Sequence, residues 1–166
     1  MRQTGIAGVL CIVLFIGAAG CAGWFKNGQE KTATELAEEG DAYFQEQEYN
    51  KAIKAYQRLK DWYPYSPYAK KAELRIADAQ YNLEEYAQAL AAYEHYERMH
   101  PGDPKIPYVI YRIGMCHYKR IRSIDRTQVP TRKALDAFMR LKSRFAESEY
   151  AQKAVAKIET CRKNLA

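Results

Sequence analysis

The sequence predicts an all-α fold, a solenoid of antiparallel helix pairs behind an apolar amino-terminal segment. Three observations carry that expectation. Residue types recur at an interval of 37 positions along most of the chain. Prolines fall at the same place in successive units. The 166 residues hold only nine glycines and six prolines, mostly at segment edges, so long helices are allowed between them.

Gly40, Ala77 and Gly114 define the interval, each 37 residues from the last. Tyr49 and Tyr86 fall into register, as do Ala52 and Ala89, Tyr56 and Tyr93, and Pro64 and Pro101. Gly40 and Ala77 are small where the two helices of a pair cross closely. Ala52 and Ala89 are small on the facing helix, with Tyr56 and Tyr93 one turn further along the same stripe. Pro64 and Pro101 cannot continue a helix and end the second helix of each pair. These signals place helices at about 33–46, 49–62, 67–83, 86–99, 105–123, 130–145 and 148–165. The period, with a small residue, an alanine twelve later and an aromatic four after that, resembles the tetratricopeptide repeat. Each pair is too thin to bury its own apolar face, and stacking supplies the core.

The third unit carries an insertion. Gly114 to Ala134 spans 20 residues where Gly40 to Ala52 spans 12, and the eight extra residues fall between Lys119 and Pro130. Ala134, Phe138 and Leu141 then restore the pattern. Ser148-Glu149-Tyr150-Ala151 echoes Ser66-Pro67-Tyr68-Ala69, so a fourth unit begins with one helix. A solitary helix of this kind fits both a solenoid cap and a shortened array.

Residues 1–23 stand apart. Arg2 is the only charge there, an apolar run follows, and Ala18-Ala19-Gly20 leads into Cys21. A basic start, an apolar middle and small residues at a cleavage point form a secretory signal, and the cysteine directly after them resembles a bacterial lipobox. The expected organisation is a lipoprotein signal peptide at 1–20, a lipid-attachment cysteine (Cys21) with a short linker at 21–32, and the repeat domain at 33–166. An uncleaved membrane anchor also fits, because Gly5 to Phe25 is close to the ~20 residues that span a bilayer. On either reading the rest of the chain is exported and tethered.

One segment is more specific than the repeats. His100-Pro101, then Pro107-Tyr108-Val109-Ile110-Tyr111-Arg112-Ile113-Gly114, then Ser123-Ile124-Asp125-Arg126-Thr127-Gln128 running into Thr131-Arg132-Lys133-Ala134, resembles the BamD family. These are the tetratricopeptide-repeat lipoproteins of the outer-membrane β-barrel assembly machinery. Thr127 departs from the second aspartate usual in that family. The resemblance implies a lipid-anchored protein of the outer membrane that faces the periplasm. Its partners would be unfolded outer-membrane proteins and subunits of the assembly complex. A general envelope repeat lipoprotein, acting in peptidoglycan-linked or pilus assembly, is the second reading.

Nothing in the sequence points to catalysis. His95, His100 and His117 lack metal-ligand spacing, and there is no glycine-rich phosphate loop or nucleophile motif. No metal, cofactor or small-molecule substrate is therefore expected. The candidate site is a peptide groove on the first helices of the pairs. Ala37, Asp41, Phe44 and Gln45 share one helical face, matched by Leu74, Asp78, Tyr81 and Asn82, then by Tyr111, Met115, Tyr118 and Lys119. Phe44, Tyr81 and Tyr118 would form an aromatic ladder, either as a binding surface or as packing between units.

Charge is uneven. Residues 21–104 carry 10 Lys+Arg against 15 Asp+Glu, a net of −5, and residues 105–166 carry 15 against 5, a net of +10. Lys119, Arg120, Arg122, Arg126, Arg132 and Lys133 gather around the insertion. Export argues against nucleic acid as their partner, and leaves an acidic protein face, anionic lipid head groups or plain solvation. Cys116 and Cys161 continue the series Ala42, Ala79 at the 37-residue interval lengthened by eight. Equivalent positions on stacked helices sit ~8–10 Å apart, beyond the roughly 7 Å that a disulfide tolerates, so two reduced, buried thiols are expected.

Overall fold

The computed structural model describes residues 30–121 and 128–166, and among these it is entirely helical between its turns. Seven helices follow in order: α1 (Ala33–Gln45), α2 (Tyr49–Trp62), α3 (Ala69–Asn82), α4 (Tyr86–Met99), α5 (Ile106–Lys119), α6 (Val129–Arg144) and α7 (Glu149–Leu165). They form one compact unit, Thr32–Ala166. Each helix packs on the next in sequence, and α7 lies across α6 with a lesser contact to α5. This is the all-α repeat stack that the periodicity predicts.

Helix ends follow local chemistry. Thr32 caps α1 in a capping box, its side chain accepting from the Glu35 amide while the Glu35 carboxylate accepts from the Thr32 amide at 2.7 Å. Ser148 caps α7, where its hydroxyl accepts from Ala151 N–H. Gln47 and Glu84, one period apart, both take left-handed backbone conformations (φ 61° and 62°) to reverse the chain within pairs one and two. The second helices stop at Tyr63, His100 and Phe145, again in register. Several expected bounds shift by one or two residues, and the fifth helix shifts most. The sequence pattern predicts a fifth helix over 105–123, but α5 ends at Lys119 and Arg120 closes it.

Close crossings explain the small residues. A Cβ built on Gly40 would stand 2.5 Å from the Tyr56 ring, and one on Gly114 would stand 2.4 Å from the Phe138 ring. Both rings are fully buried, so neither has room to yield. Two clusters make up the core. Leu36, Ala52, Tyr56, Leu59, Ala72 and Ile76 join the first pair to the second. Tyr93, Tyr96, Ile110, Ile113, Phe138, Leu141, Ala154 and Ile158 join the second pair, the third and α7.

Cys116 and Cys161 are free, buried thiols within the second cluster. Burial pushes the Cys116 thiol up to about 12 and raises that of Cys161 as well. A thiol held protonated and out of solvent is a poor nucleophile. In the folded chain both should resist alkylation at neutral pH, and both should label once the chain is denatured without reductant. Peptide mapping that finds Cys116 linked to Cys161 would contradict this.

Candidate functional site

The site is built on the first helices α1, α3 and α5, and the aspartates of α1 and α3 are held from behind by tyrosines of the second helices. In pair one, the Tyr56 hydroxyl donates to Asp41 at 2.6 Å, and Lys71 of α3 donates to the other carboxylate oxygen. Burial works against the Asp41 carboxylate, but the hydrogen bonds from Lys71 and Tyr56 outweigh it and hold its pKa below the ordinary value. In pair two, Tyr93 donates to Asp78 at 2.6 Å, Tyr108 donates to the same oxygen, and Arg112 donates to the Tyr93 hydroxyl at 2.9 Å. Burial and the neighbouring Asp78 charge push the Tyr93 hydroxyl far above its usual pKa, so it stays a donor. In pair three both partners change together, Asp to Met115 and Tyr to Phe138. Neither of these two positions in pair three then carries a polar atom that needs a partner.

Phe44, Tyr81 and Tyr118 are each half-buried. A cation from the next first helix covers every one. The Arg75 guanidinium lies 4.8 Å from the Phe44 centroid, Arg112 lies 3.6 Å from Tyr81, and the Lys157 ammonium lies 4.8 Å from Tyr118. Burial, opposed by Arg112, pushes the Tyr81 hydroxyl up to about 12. The rings also meet aromatic neighbours, Phe44 against Tyr49 at 5.3 Å, Tyr81 against Tyr86 at 5.2 Å and Tyr118 against Phe138 at 6.5 Å. The ladder therefore packs between units on one side. Gln45 and Asn82 follow it as exposed side chains, while Ala37, Leu74 and Asp78 are buried and Tyr111 and Met115 half-buried.

A groove of about 380 Å³ opens between α3, the start of α5 and α7. Its lining includes the expected Leu74 and Asp78. It also includes Lys71, Arg75, Lys105, Tyr108 and Tyr150, which the face-by-face reading of the sequence did not single out. Arg75 and Arg112 share one repeat position, and that recurrence was the signal available for the cations. Tyr150 contacts Tyr108 and Tyr111 at centroid distances of 5.3 and 5.8 Å, forming an aromatic floor. Lys71 and Arg75 already face Asp41 and Asp78, so Lys105 at the mouth and the rings of Tyr108 and Tyr150 are the groups this groove offers to an extended segment with acidic and apolar side chains.

Of the basic residues expected around the insertion, Lys119 and Arg120 are exposed at the end of α5, and Arg132 and Lys133 are exposed at the start of α6. Arg132 bonds Gln128 at 3.1 Å. His117 lies buried beside them, and its pKa is lowered by burial and then by Lys133 and Arg120. Arg122, Arg126 and Cys21 lie outside the described residues. Among the described residues no three His, Cys, Asp or Glu side chains gather as metal ligands. No described helix is long and apolar enough to cross a membrane.

The family YfiO, outer membrane lipoprotein, matches residues 29–166. Outer membrane protein assembly factor BamD of Caulobacter vibrioides is 26% identical over 162 residues, which covers 95% of this chain and 53% of that protein. The chain thus spans about half the length of that relative. Among solved structures, PcrH in complex with the chaperone binding region of PopD, PcrH being from Pseudomonas aeruginosa, superposes with a TM-score of 0.62 at 19% identity, covering 85% of this chain and 99% of that one. The first TPR domain of human RPAP3 gives 0.60 at 19% identity, over 80% of this chain and 93% of its own. These likenesses show a tetratricopeptide-repeat fold.

Proposed function

The chain belongs to the YfiO family of outer membrane lipoproteins, and from that membership we propose that it is a lipid-anchored, non-enzymatic scaffold for outer-membrane protein assembly. Cys21 carries the lipid, the helical unit faces the periplasm, and the first-helix wall holds extended segments of unfolded outer-membrane proteins or of assembly-complex subunits. The groove of Lys71, Arg75, Lys105, Tyr108 and Tyr150 is the observation that carries this reading. Repeats of this fold hold segments of other proteins elsewhere: PcrH is seen with the chaperone binding region of PopD, and RPAP3 with the HSP90 peptide SRMEEVD. The exposed Lys119, Arg120, Arg132 and Lys133, together with Arg122 and Arg126, would meet an acidic face of a partner subunit. Contacts of that kind act mainly on association rate.

Lys105 is exposed at the groove mouth, so its reversal tests binding apart from folding. Lys105→Glu should weaken capture of an unfolded outer-membrane-protein segment by about tenfold, the equivalent of roughly 1.4 kcal/mol, with an unchanged melting temperature. Anisotropy titration of a labelled segment measures this. Equal affinities for the two proteins would move the ligand off this groove.

A further inference from the structure

Antiparallel pairing gives the helical unit two edges, and one of them is apolar near the point where the chain enters. Gly40 packs on Tyr56, so the start of α1 lies level with the end of α2, and Leu36, Leu59 and Tyr63 pack in one cluster. The chain therefore enters at Thr32 on the same edge as the turn Trp62-Tyr63-Pro64-Tyr65-Ser66-Pro67. Tyr65 is 99% exposed and Trp62 51%. Pro64 and Pro67 are exposed between and beside them. Met99 is 60% exposed at the position one period after Trp62 and so lies on the same edge. Single exposed apolar side chains are ordinary on a protein surface, but a cluster is not.

Charge on the edge is mixed, with Arg98 and Lys105 exposed near Met99. Lys70 is paired with Asp103 at 2.6 Å, and Asp61 accepts from Gln57 at 2.9 Å. Its chemistry is that of amphipathic rings and prolines, and Trp and Tyr are the residues that settle at the lipid head-group level. The entry point puts this surface within reach of the bilayer, because Ala22 to Lys31 is ten residues and reaches at most ~35 Å. We propose that this edge rests on the bilayer to which the chain is anchored, with Trp62 and Tyr65 seated in the interfacial layer and Met99 beside them. The proposal rests on the lipid anchor at Cys21. It fixes which way the unit faces, with the turn edge on the membrane and the opposite ends of the helices in the periplasm.

The test uses the full lipidated chain carrying Trp24→Phe, which leaves Trp62 as its only tryptophan. The protein is reconstituted into phosphatidylethanolamine–phosphatidylglycerol vesicles, either plain or with acyl chains brominated near the head group. The expected result is that the protein floats with the vesicles, that brominated lipid removes most of the Trp62 emission, and that added salt does not restore it. Flotation with equal emission in the two vesicle types would overturn the proposal alone and assign the edge to water or a protein partner. Failure to float would overturn the anchor, and this proposal with it.

Discussion

Asp78→Ala should lower the stability of the helical unit by about 3–5 kcal/mol, the cost of breaking a buried, hydrogen-bonded charge cluster from one side. Its side chain is 10% exposed, and it accepts from Tyr93 and Tyr108 while Arg112 lies 4.0 Å away. Removing the carboxylate strands the Tyr93 hydroxyl in the core and leaves Arg112 without its counter-charge. The third pair shows the alternative, because Met115 and Phe138 fill the two positions with no polar atom to satisfy. Asp78→Met combined with Tyr93→Phe should therefore be more stable than Asp78→Ala alone, although Arg112 and Tyr108 still lack their partner. Chemical denaturation of the two variants measures the difference. Additive losses from Asp78→Met and Tyr93→Phe would contradict the coupling.

Phe138→Ala should cost a similar ~3–5 kcal/mol, for a different reason. The ring is fully buried, presses on Gly114, and meets Tyr111 and Tyr118 at 5.9 and 6.5 Å. Its loss opens a cavity where α5, α6 and α7 converge. Backbone atoms at the Gly114 crossing are tied into two helices and cannot close the space. Denaturation midpoints check this, and a loss below about 1 kcal/mol would mean that the third pair collapses onto the gap.

Much of this architecture was legible in the sequence because a repeat states its own geometry several times. The helices 49–62 and 86–99 match at both ends, since a recurring tyrosine opens each and a proline follows each close behind. The end of α5 is not legible because the insertion breaks the period there, and no second copy shows where the helix stops. The tyrosine–aspartate pairing was also present as a spacing. Asp41 to Tyr56 and Asp78 to Tyr93 are both 15 residues, and Met115 to Phe138 is the same interval lengthened by eight. The aspartates share a helical face with Phe44 and Tyr81, which assigns them to the groove in the sequence. Their hydroxyl partners sit on the second helices, and a face-by-face reading never compares the two. Lys105 and Tyr150 were illegible for another reason. They come from the turn before α5 and the start of α7, segments that meet only when the stack forms.

Capture of unfolded outer-membrane proteins by the first-helix wall is the core of the proposed function. Site-directed photocrosslinking in cells tests it most directly, with a photoreactive side chain at exposed Asn82 or Lys105 on the groove side and at exposed Lys142 on α6 as the control. Crosslinks to unfolded outer-membrane proteins from positions 82 and 105, absent from position 142, are the predicted result. Crosslinks from position 142 with none from the groove positions would contradict the account.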